Sequence, residues 1–499
     1  MRLLITMTIA MTFVAQLVLA QSDSVFRQAH DVGKGDRSSL DPISQGRVLQ
    51  VTEKIMNRLA RPDSDGLPQP DLATEWYTNK DGTVWTIRLR DGVRFHDGST
   101  FDASDVVYTF NRTLDPATNS PAQSLLKMMT NIDAPDDLTV RFSLKSTFAD
   151  LPLLLMDPRL RIIPDGSGGK IAQTGIGTGP FMVEKFDPDG ITQLVANPDY
   201  WEGAPYIERM EIIGVPDSQA RLQAFLAGQL DMERGILPLL RRALSKSDRY
   251  IIQDIPTGNW SGFVFRTDIA PFTDARVRRA IRLAVDREEL LKLALDGGGT
   301  ISCDTPVAPD DQYRATMSCP QDIGAARALL AEAGYPYGIN VDLHISTIDQ
   351  AWSAMAVAFQ QQVAKAGINV NIVKASADGY WTEIWKNKDG FATSWSARPA
   401  DQVLNEAYHS NANGNESYYR DPNFELMLLA ARKELNFEAR RHLYIRAQEH
   451  LADTSGTLIP FHRSQLVGLS KRVRDLDPVR SDVIRWHMVK LIDHEAEVN

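Results

Sequence analysis

The sequence predicts an α/β protein built from more than one domain. Residues 339–373 read as strand, helix and strand, "INVDLHI", "QAWSAMAVAFQQQVAKAG" and "INVNIV". A crossover of this length joins parallel strands, which is the arrangement of an α/β domain. Residues 84–114 instead combine an alternating strand, a tight turn and an amphipathic helix. A chain of 499 residues is too long for one hydrophobic core, so two or three domains are expected.

The elements of the first half are short and separated by turns. Val84 to Leu89 alternate apolar and polar side chains, Asp91-Gly92 is a turn dipeptide, and Val93 and Phe95 begin a return strand, which together predict a hairpin. Asp102 is placed to cap a helix with Val106 and Phe110 on its apolar face. Further along, amphipathic helices dominate from residue 273, which indicates a second, different domain.

Composition and charge limit the classes of partner that this protein can bind. Apolar residues make up 43% and charged residues 24% of the chain, which is typical of globular proteins. The formal net charge is −10, and this argues against nucleic acid as a partner because its binders need a basic face. A small anionic ligand stays compatible with the charge, since a local site can oppose the global value.

The first twenty residues, "MRLLITMTIAMTFVAQLVLA", predict a secretory signal peptide. Arg2 supplies a positive start, an apolar run follows, and Val18 and Ala20 are small residues at the positions that a signal peptidase reads. The mature chain is expected to begin at Gln21 after export. A membrane anchor is the alternative, but the run is shorter than the ~20 residues that a spanning helix needs. No cysteine lies near the cut, so no lipid anchor is expected.

The two cysteines, Cys303 and Cys319, are expected to form a disulfide, as an isolated pair in an exported protein usually does. Such a bridge would close the loop "CDTPVAPDDQYRATMSC" and stabilise the fold by ~3 kcal/mol. Two free thiols or half of a metal site are the alternatives, although no histidine pair with ligand spacing lies nearby.

Motifs for catalysis and for metal binding are missing from the sequence. The nine histidines show no ligand spacing. There is no G-x-S-x-G elbow and no S-x-x-K motif. We therefore expect no catalytic residue, no metal site, no cofactor and no enzymatic activity. A secreted hydrolase remains the alternative class, because a catalytic carboxylate pair needs no local motif.

Six segments in order resemble one family, the solute-binding proteins of peptide and nickel ABC transporters, known as family 5 of the extracellular solute-binding proteins. The segments are "PDLATEWYTNKDGTVWTIRLRDGVRFHDGSTFDASDVVYTF", "GTGPFMVEKF", "VANPDYWEGAPYIERMEI", "RLQAFLAGQLDM", "PFTDARVRRAIRLAVDREELL" and "ARALLAEAGYPYG". The resemblance implies a two-lobed periplasmic-binding-protein fold, type II-like and of cluster C, with an extra domain inserted into the first lobe.

The resemblance also implies the domain limits and the function. After the signal peptide at 1–20, it implies a discontinuous lobe I core made of residues 21–68, 178–268 and 465–499. The inserted domain of lobe I would span residues 69–177, and lobe II would span residues 269–464. The implied function is a monomeric periplasmic receptor that captures a small polar solute, with an anionic group or of peptide-like form. It would then deliver the solute to an inner-membrane ABC permease. A true dipeptide or oligopeptide receptor is the alternative within the family.

Arg398 marks a departure from the peptide-binding members. In those proteins an acidic residue three positions after a strand-end tryptophan holds the amine of the peptide. Here "WSAR" places Arg398 at that position after Trp395. A guanidinium suits a carboxylate or phosphate, so Arg398 is expected to pair with an anionic ligand group or with Asp401. A surface arginine on a loop is the remaining interpretation.

Other candidate ligand contacts come from the same resemblance. Trp260 lies on the strand that crosses between the lobes, and His462 lies near the second crossing. Gln45 and Arg47 lie in a loop that reaches the ligand in relatives. Trp381, Trp395 and Asn415 are further candidates, and Asp401, three residues after Arg398, could take the role of the missing acidic residue. Tryptophans at strand ends are as often core residues, and the loop 415–418 has a solvated role as its alternative.

Overall fold

The structure, a computed structural model, is an α/β fold of two lobes that share one eleven-stranded sheet. It describes residues 24–30, 38–44, 47–215, 217–236, 240–376, 379–476 and 484–492. The predicted signal peptide and Gln45 lie outside these residues. Within the described ranges, no helix is long and apolar enough to cross a membrane.

The strands, in chain order, are β1 (Val25–His30), β2 (Ala60–Pro62), β3 (Pro68–Pro70), β4 (Ala73–Thr78), β5 (Val84–Leu89), β6 (Met129–Asp136), β7 (Thr139–Leu144), β8 (Phe181–Lys185), β9 (Ile191–Ala196), β10 (Arg209–Gly214), β11 (Met232–Arg234), β12 (Tyr250–Phe265), β13 (Gly299–Ile301), β14 (Ile339–Ile345), β15 (Ile368–Lys374), β16 (Gly390–Trp395), β17 (Thr457–Ser470), β18 (Val473–Arg474) and β19 (Lys490–Leu491).

The α-helices, in chain order, are α1 (Leu49–Ile55), α2 (Ala103–Leu114), α3 (Gln123–Leu126), α4 (Leu151–Leu154), α5 (Ile171–Thr174), α6 (Ser218–Leu226), α7 (Arg241–Leu244), α8 (Ala275–Leu283), α9 (Arg287–Leu295), α10 (Ile323–Glu332), α11 (Gln350–Ala364), α12 (Ala400–Tyr408), α13 (Pro422–Lys433) and α14 (Phe437–Thr454).

Two long antiparallel strands, β12 and β17, join the two halves of the large sheet. The strand order is β15-β14-β16-β12-β17-β11-β1-β10-β9-β8, with β13 on the side of β17. The part from β11 to β8 belongs to lobe I, and the part from β15 to β16 belongs to lobe II. Register shifts between Pro256 and Trp260 and between Ser261 and Phe263 interrupt the pairing of β12 with β17. Because β12 and β17 run through both halves of the sheet, they connect the two lobes.

A second sheet, β4-β5-β7-β6, packs against α2 and forms the small-sheet unit, whose core residues run from Leu59 to Ile162. The side chain of Asp102 caps α2 as predicted, and Asp105 completes a capping box. The predicted hairpin from Val84 to Phe95 is wrong, because β5 pairs with β4 and β7. The hairpin forms around an earlier turn instead, between β4 and β5. In this turn, Asn79 Oδ1 accepts hydrogen bonds from the backbone N–H groups of Thr83 and Val84.

Lobe II contains the predicted β-α-β unit. The strands β14 and β15 are parallel, from Ile339 opposite Ile368 to Ile345 opposite Lys374, and α11 connects them. Apolar side chains of α8, α9, α11 and the strands form one core. A second core, which includes Tyr444 and Leu451 of α14, packs α12, α13 and α14 together. The residue limits assigned to the domains stay a prediction.

The predicted disulfide between Cys303 and Cys319 is present, with Cα atoms 5.5 Å apart. The loop that it closes carries Asp304, a buried carboxylate that pairs with Arg287 at 2.5 Å and accepts from the backbone N–H of Ile459 at 2.8 Å. The loop is thus fixed both to α9 and to β17.

Candidate functional site

A cavity of about 790 Å³ lies between the lobes. Its lining comes from the start of lobe I, from the small-sheet unit and from lobe II. The lining residues are Arg47, Pro62, Gly66, Pro121, Ser124, Leu125, Leu153, Leu154, Met156, Asp157, Pro158, Arg159, Ala308, Asp310, Asp311, Gln312, Ser396, Ala397, Arg398, Pro399, Gln402 and Glu406. This volume is within the ~300–1,000 Å³ that is usual for small-molecule sites.

The two walls of the cavity differ in chemistry. The small-sheet unit contributes an apolar wall that includes Leu125, Leu154 and Met156, with the charged pair Asp157 and Arg159 beside it. Lobe II contributes polar and charged groups from the disulfide loop and from the start of α12. Gly258 of β12 allows these two lobe II segments to meet, because an added Cβ would lie only 2.7 Å from Ala308 and 2.8 Å from Ala397.

Arg398 lines the cavity, immediately after β16. Its guanidinium lies 2.8 Å from the carboxylate of Glu406, and its Cζ lies 5.0 Å from the ring centroid of Trp395. The pairing with Asp401 that the sequence allowed is wrong. Pro399 turns the chain into α12, and Asp401 in the first turn instead accepts two hydrogen bonds from Arg432, at 2.7 and 2.8 Å.

Trp260 and Trp395 form a parallel pair behind Arg398, with ring centroids 6.1 Å apart and planes within 9°. Trp260 is buried, and its indole nitrogen has no hydrogen-bond partner in the described part of the chain. Neither tryptophan is part of the cavity lining. The guanidinium of Arg398 packs over the ring of Trp395, which in turn stacks on Trp260.

Glu416 fixes the position of Trp395. One carboxylate oxygen of this buried residue accepts from the indole nitrogens of Trp395 at 2.8 Å and Trp385 at 2.7 Å, and from the hydroxyl of Thr393 at 2.8 Å. Burial raises the pKa of Glu416 to about 7, although these hydrogen bonds oppose the rise. The sequence indicated only a polar loop here, because the partners of Glu416 lie 21 to 31 residues away.

The remaining candidates, Asp401 among them, are not part of the cavity lining, and their role as ligand contacts stays a prediction. His462 is fully buried, and burial lowers its pKa to about 3, so that it is neutral at physiological pH. Asn415 is buried and donates to the backbone carbonyl of Tyr419 at 2.7 Å. Trp381 is half exposed and packs edge-on against Trp352 and Trp385.

On the lobe I side, Arg47 lines the cavity together with Asp157 and Arg159. Arg159 donates from Nε and from a terminal nitrogen to the carboxylate of Asp157, at 2.8 and 2.5 Å. The sequence pointed to Arg47 but gave no signal for Asp157, Arg159, Asp310 or Glu406. These residues carry no local motif, and only the approach of distant loops brings them together.

The charged groups of the lining have both signs. Three arginines and four carboxylates face a space that is otherwise largely apolar. Such a lining suits a ligand with its own positive and negative groups, because each can exchange hydration for a fixed partner. In the described part of the chain, no group of three or more His, Cys, Asp or Glu residues is placed to hold a metal ion.

Comparisons with known proteins agree with this architecture. Residues 68–415 match the family described as "Bacterial extracellular solute-binding proteins, family 5 Middle". Heme-binding protein A of Haemophilus influenzae is 28% identical over 469 residues, which cover 85% of this chain and 84% of that protein. Glutathione-binding protein GsiB of Pectobacterium atrosepticum is 26% identical over 470 residues, which cover 90% of each chain.

A solved structure shares the fold. The structure of HbpA2 from Haemophilus parasuis superimposes with a TM-score of 0.84 and 22% sequence identity, and the match covers 94% of this chain and 100% of that chain. The two-lobed arrangement around β12 and β17 is therefore shared with HbpA2.

Proposed function

Because the chain belongs to the bacterial extracellular solute-binding proteins of family 5, we propose that it is the receptor of an ABC importer for a small, carboxylate-bearing, peptide-like solute. Members of this family bind solutes and are not enzymes. The inner-membrane permease of such an importer is the expected protein partner, and the receptor is expected to act as a monomer.

One observation carries the proposal, namely that the cavity of about 790 Å³ is lined from both lobes. A ligand held there touches the small-sheet unit on one side and the segment 396–406 on the other. Its binding energy therefore favours the arrangement in which the lobes approach each other, which is how a hinged receptor couples binding to a change in shape.

The mixed charge of the lining supports a peptide-like solute. A free peptide carries an amine and a carboxylate, and the lining offers arginines and carboxylates within one space. Relatives named as glutathione-binding proteins span most of the chain, which makes reduced glutathione the first solute to test. Arg398 on the lobe II side is the residue expected to contact an anionic group of the ligand.

Calorimetric titration and thermal unfolding test this function. The panel contains reduced glutathione, dipeptides, tripeptides, longer peptides, opines, sugar acids and metal chelates. A ligand that binds only the folded protein stabilises it by about 2.7 kcal/mol at a hundred times its Kd, so a bound solute raises the melting temperature. Preference for long peptides would favour the oligopeptide alternative. Absence of any shift, together with hydrolysis of a peptide or glycoside, would show a secreted hydrolase instead.

We place the protein in the periplasm, since the family is extracellular and residues 1–20 have the pattern of a signal peptide. Fractionation of cells that produce the full chain should recover it in the periplasmic fraction. Its intact mass should correspond to a mature chain that begins at Gln21 and carries no lipid.

A further inference from the structure

Arg47 lines the cavity, and no ion pair joins its guanidinium to a carboxylate among the residues that the structure describes. Arg47 pairs with Ser39 in an isolated parallel β-bridge and lies two residues before the start of α1. Within the described residues, no carboxylate lies within 4 Å of its side chain, and its Nε is buried without a hydrogen-bond partner. A partly buried cation in this condition has lost part of its hydration without gaining a described partner, which is costly.

The other arginines of the lining are satisfied within the protein. Arg159 is held by Asp157 through two hydrogen bonds, at 2.8 and 2.5 Å. Arg398 lies 2.8 Å from Glu406 and over the ring of Trp395. A ligand anion would have to compete with Glu406 for Arg398, whereas Arg47 offers its donors without such competition from a described residue.

The surroundings of Arg47 add positive potential. Burial lowers the pKa of Arg47, the neighbouring Arg159 lowers it further, and Asp157 partly opposes both effects. An arginine nevertheless stays charged at physiological pH. The attraction of a negative group placed against Arg47 would therefore offset both the desolvation cost and the repulsion from Arg159.

We propose that Arg47 forms the subsite for a carboxylate of the ligand, on the lobe I side of the cavity. The inference rests on the proposed function and makes it more specific, because it states which ligand group lobe I recognises. The fork of a guanidinium matches the two oxygens of a carboxylate. Arg398 then contacts a different group of the same ligand, from the opposite lobe.

The test uses reduced glutathione and the two analogues in which one or the other carboxylate is converted to a carboxamide. Trialanine and its C-terminal amide form a second set with a single carboxylate. Affinities are measured by calorimetry for the wild type, Arg47→Ala, Arg47→Lys and Arg398→Ala. Arg141→Ala is the matched control, since Arg141 is an exposed arginine of β7 that pairs with Asp133 and does not line the cavity.

In the wild type, loss of the carboxylate at the Arg47 subsite should weaken binding at least tenfold. Arg47→Ala should weaken binding of the parent ligand by a similar factor. The Arg47→Ala protein should bind the parent ligand and the amide that lacks the Arg47-bound carboxylate equally well. Arg47→Lys should recover only part of the affinity. Arg398→Ala should retain the discrimination that Arg47→Ala loses, and Arg141→Ala should match the wild type.

Thermal unfolding without ligand separates recognition from a structural role. Removal of an unpaired, partly buried charge should leave the melting temperature of Arg47→Ala unchanged or higher. A lower melting temperature, with acid and amide still discriminated, would overturn the subsite and leave the receptor function standing. A wild type that binds neither probe set would instead overturn the peptide-like function itself, and the subsite with it.

Discussion

The carboxylate of Asp150 lies 3.0 Å from the guanidinium of Arg440, across the contact between the small-sheet unit and lobe II. Asp150 directly precedes α4, and Arg440 lies in the first turn of α14. The hydroxyl of Tyr313, in the disulfide loop, donates to the same carboxylate at 2.6 Å. All three side chains are buried, so this contact ties the apolar wall of the cavity to its lobe II side.

Asp150→Ala should lower the free energy of unfolding by roughly 3–5 kcal/mol, because it leaves the buried Arg440 without its counter-ion. Urea unfolding at pH 7.5 measures the change, at a pH above the pKa of Asp150, which burial raises to about 6. Asp133→Ala is the control, since Asp133 pairs with Arg141 on an exposed surface and should cost about 1 kcal/mol or less. Equal effects of the two changes would contradict the importance of the contact.

The free energy of unfolding should fall less in Glu416→Gln than in the wild type as the pH rises from about 4.5 to about 7. Burial raises the pKa of Glu416 to about 7, so the folded state keeps this proton at pH values where the unfolded chain has released it. Stability is therefore lost as the pH rises from about 4.5 to about 7, by an amount on the order of 3 kcal/mol for this group. Glutamine keeps the acceptor for Trp395 and has no proton to release.

The comparison requires melting temperatures of the wild type and of Glu416→Gln from pH 4.5 to 8. The difference between the two proteins should grow in favour of the variant as the pH rises. Glu425→Gln is the control, because a hydrogen bond from Ser410 lowers the pKa of Glu425. A constant difference between wild type and Glu416→Gln across the range would show that Glu416 does not titrate in this window.

Loss of the Cys303–Cys319 bridge should destabilise the protein by about 3 kcal/mol, as expected for a loop of this length. The closed loop also carries Ala308, Asp310 and Gln312 of the cavity lining, so reduction should weaken ligand binding as well. Alkylation without reductant, followed by intact-mass measurement, should add no label. Two added labels would refute the bridge.

Arg398→Ala should weaken binding of an anionic ligand about tenfold, and Glu406→Gln should strengthen it, because that change frees the guanidinium from its internal partner. Both residues are partly exposed, so each change should alter the stability of the ligand-free protein by about 1 kcal/mol or less. Asp401→Ala should instead destabilise the protein, since Asp401 is buried between Arg432 and Tyr444. Unaltered affinity in Arg398→Ala would place this arginine outside the site.

Ligand binding should bring the lobes together about β12 and β17, the two strands that run through both halves of the sheet. Small-angle scattering should then show a smaller radius of gyration at saturating ligand than without ligand. Asp150→Ala should enlarge the difference, because the ligand-free protein loses a contact between the small-sheet unit and lobe II. An unchanged radius at saturation would argue against hinge closure.

Local sequence patterns predicted several of the helices and strands, and six ordered segments predicted the family. The period of apolar residues and the cap at Asp102 predicted α2, and the strand-helix-strand pattern predicted the parallel pair of β14 and β15. These signals are local, because capping and periodicity depend on residues within one or two turns of each other. The hairpin at Val84 to Phe95 failed since two turns competed and only the sheet partners decided between them.

The partners of the charged residues depend on the three-dimensional fold. Arg398 meets Glu406 and Asp401 meets Arg432, although the sequence allowed Arg398 and Asp401 to pair. The directions of side chains on α12 and the approach of α13 set these contacts. The same holds for Arg47, whose position at the cavity without a described counter-ion depends on loops more than a hundred residues away. Packing between residues that are distant in sequence decides which charges find a partner, so a short segment of sequence cannot predict the ion pairs.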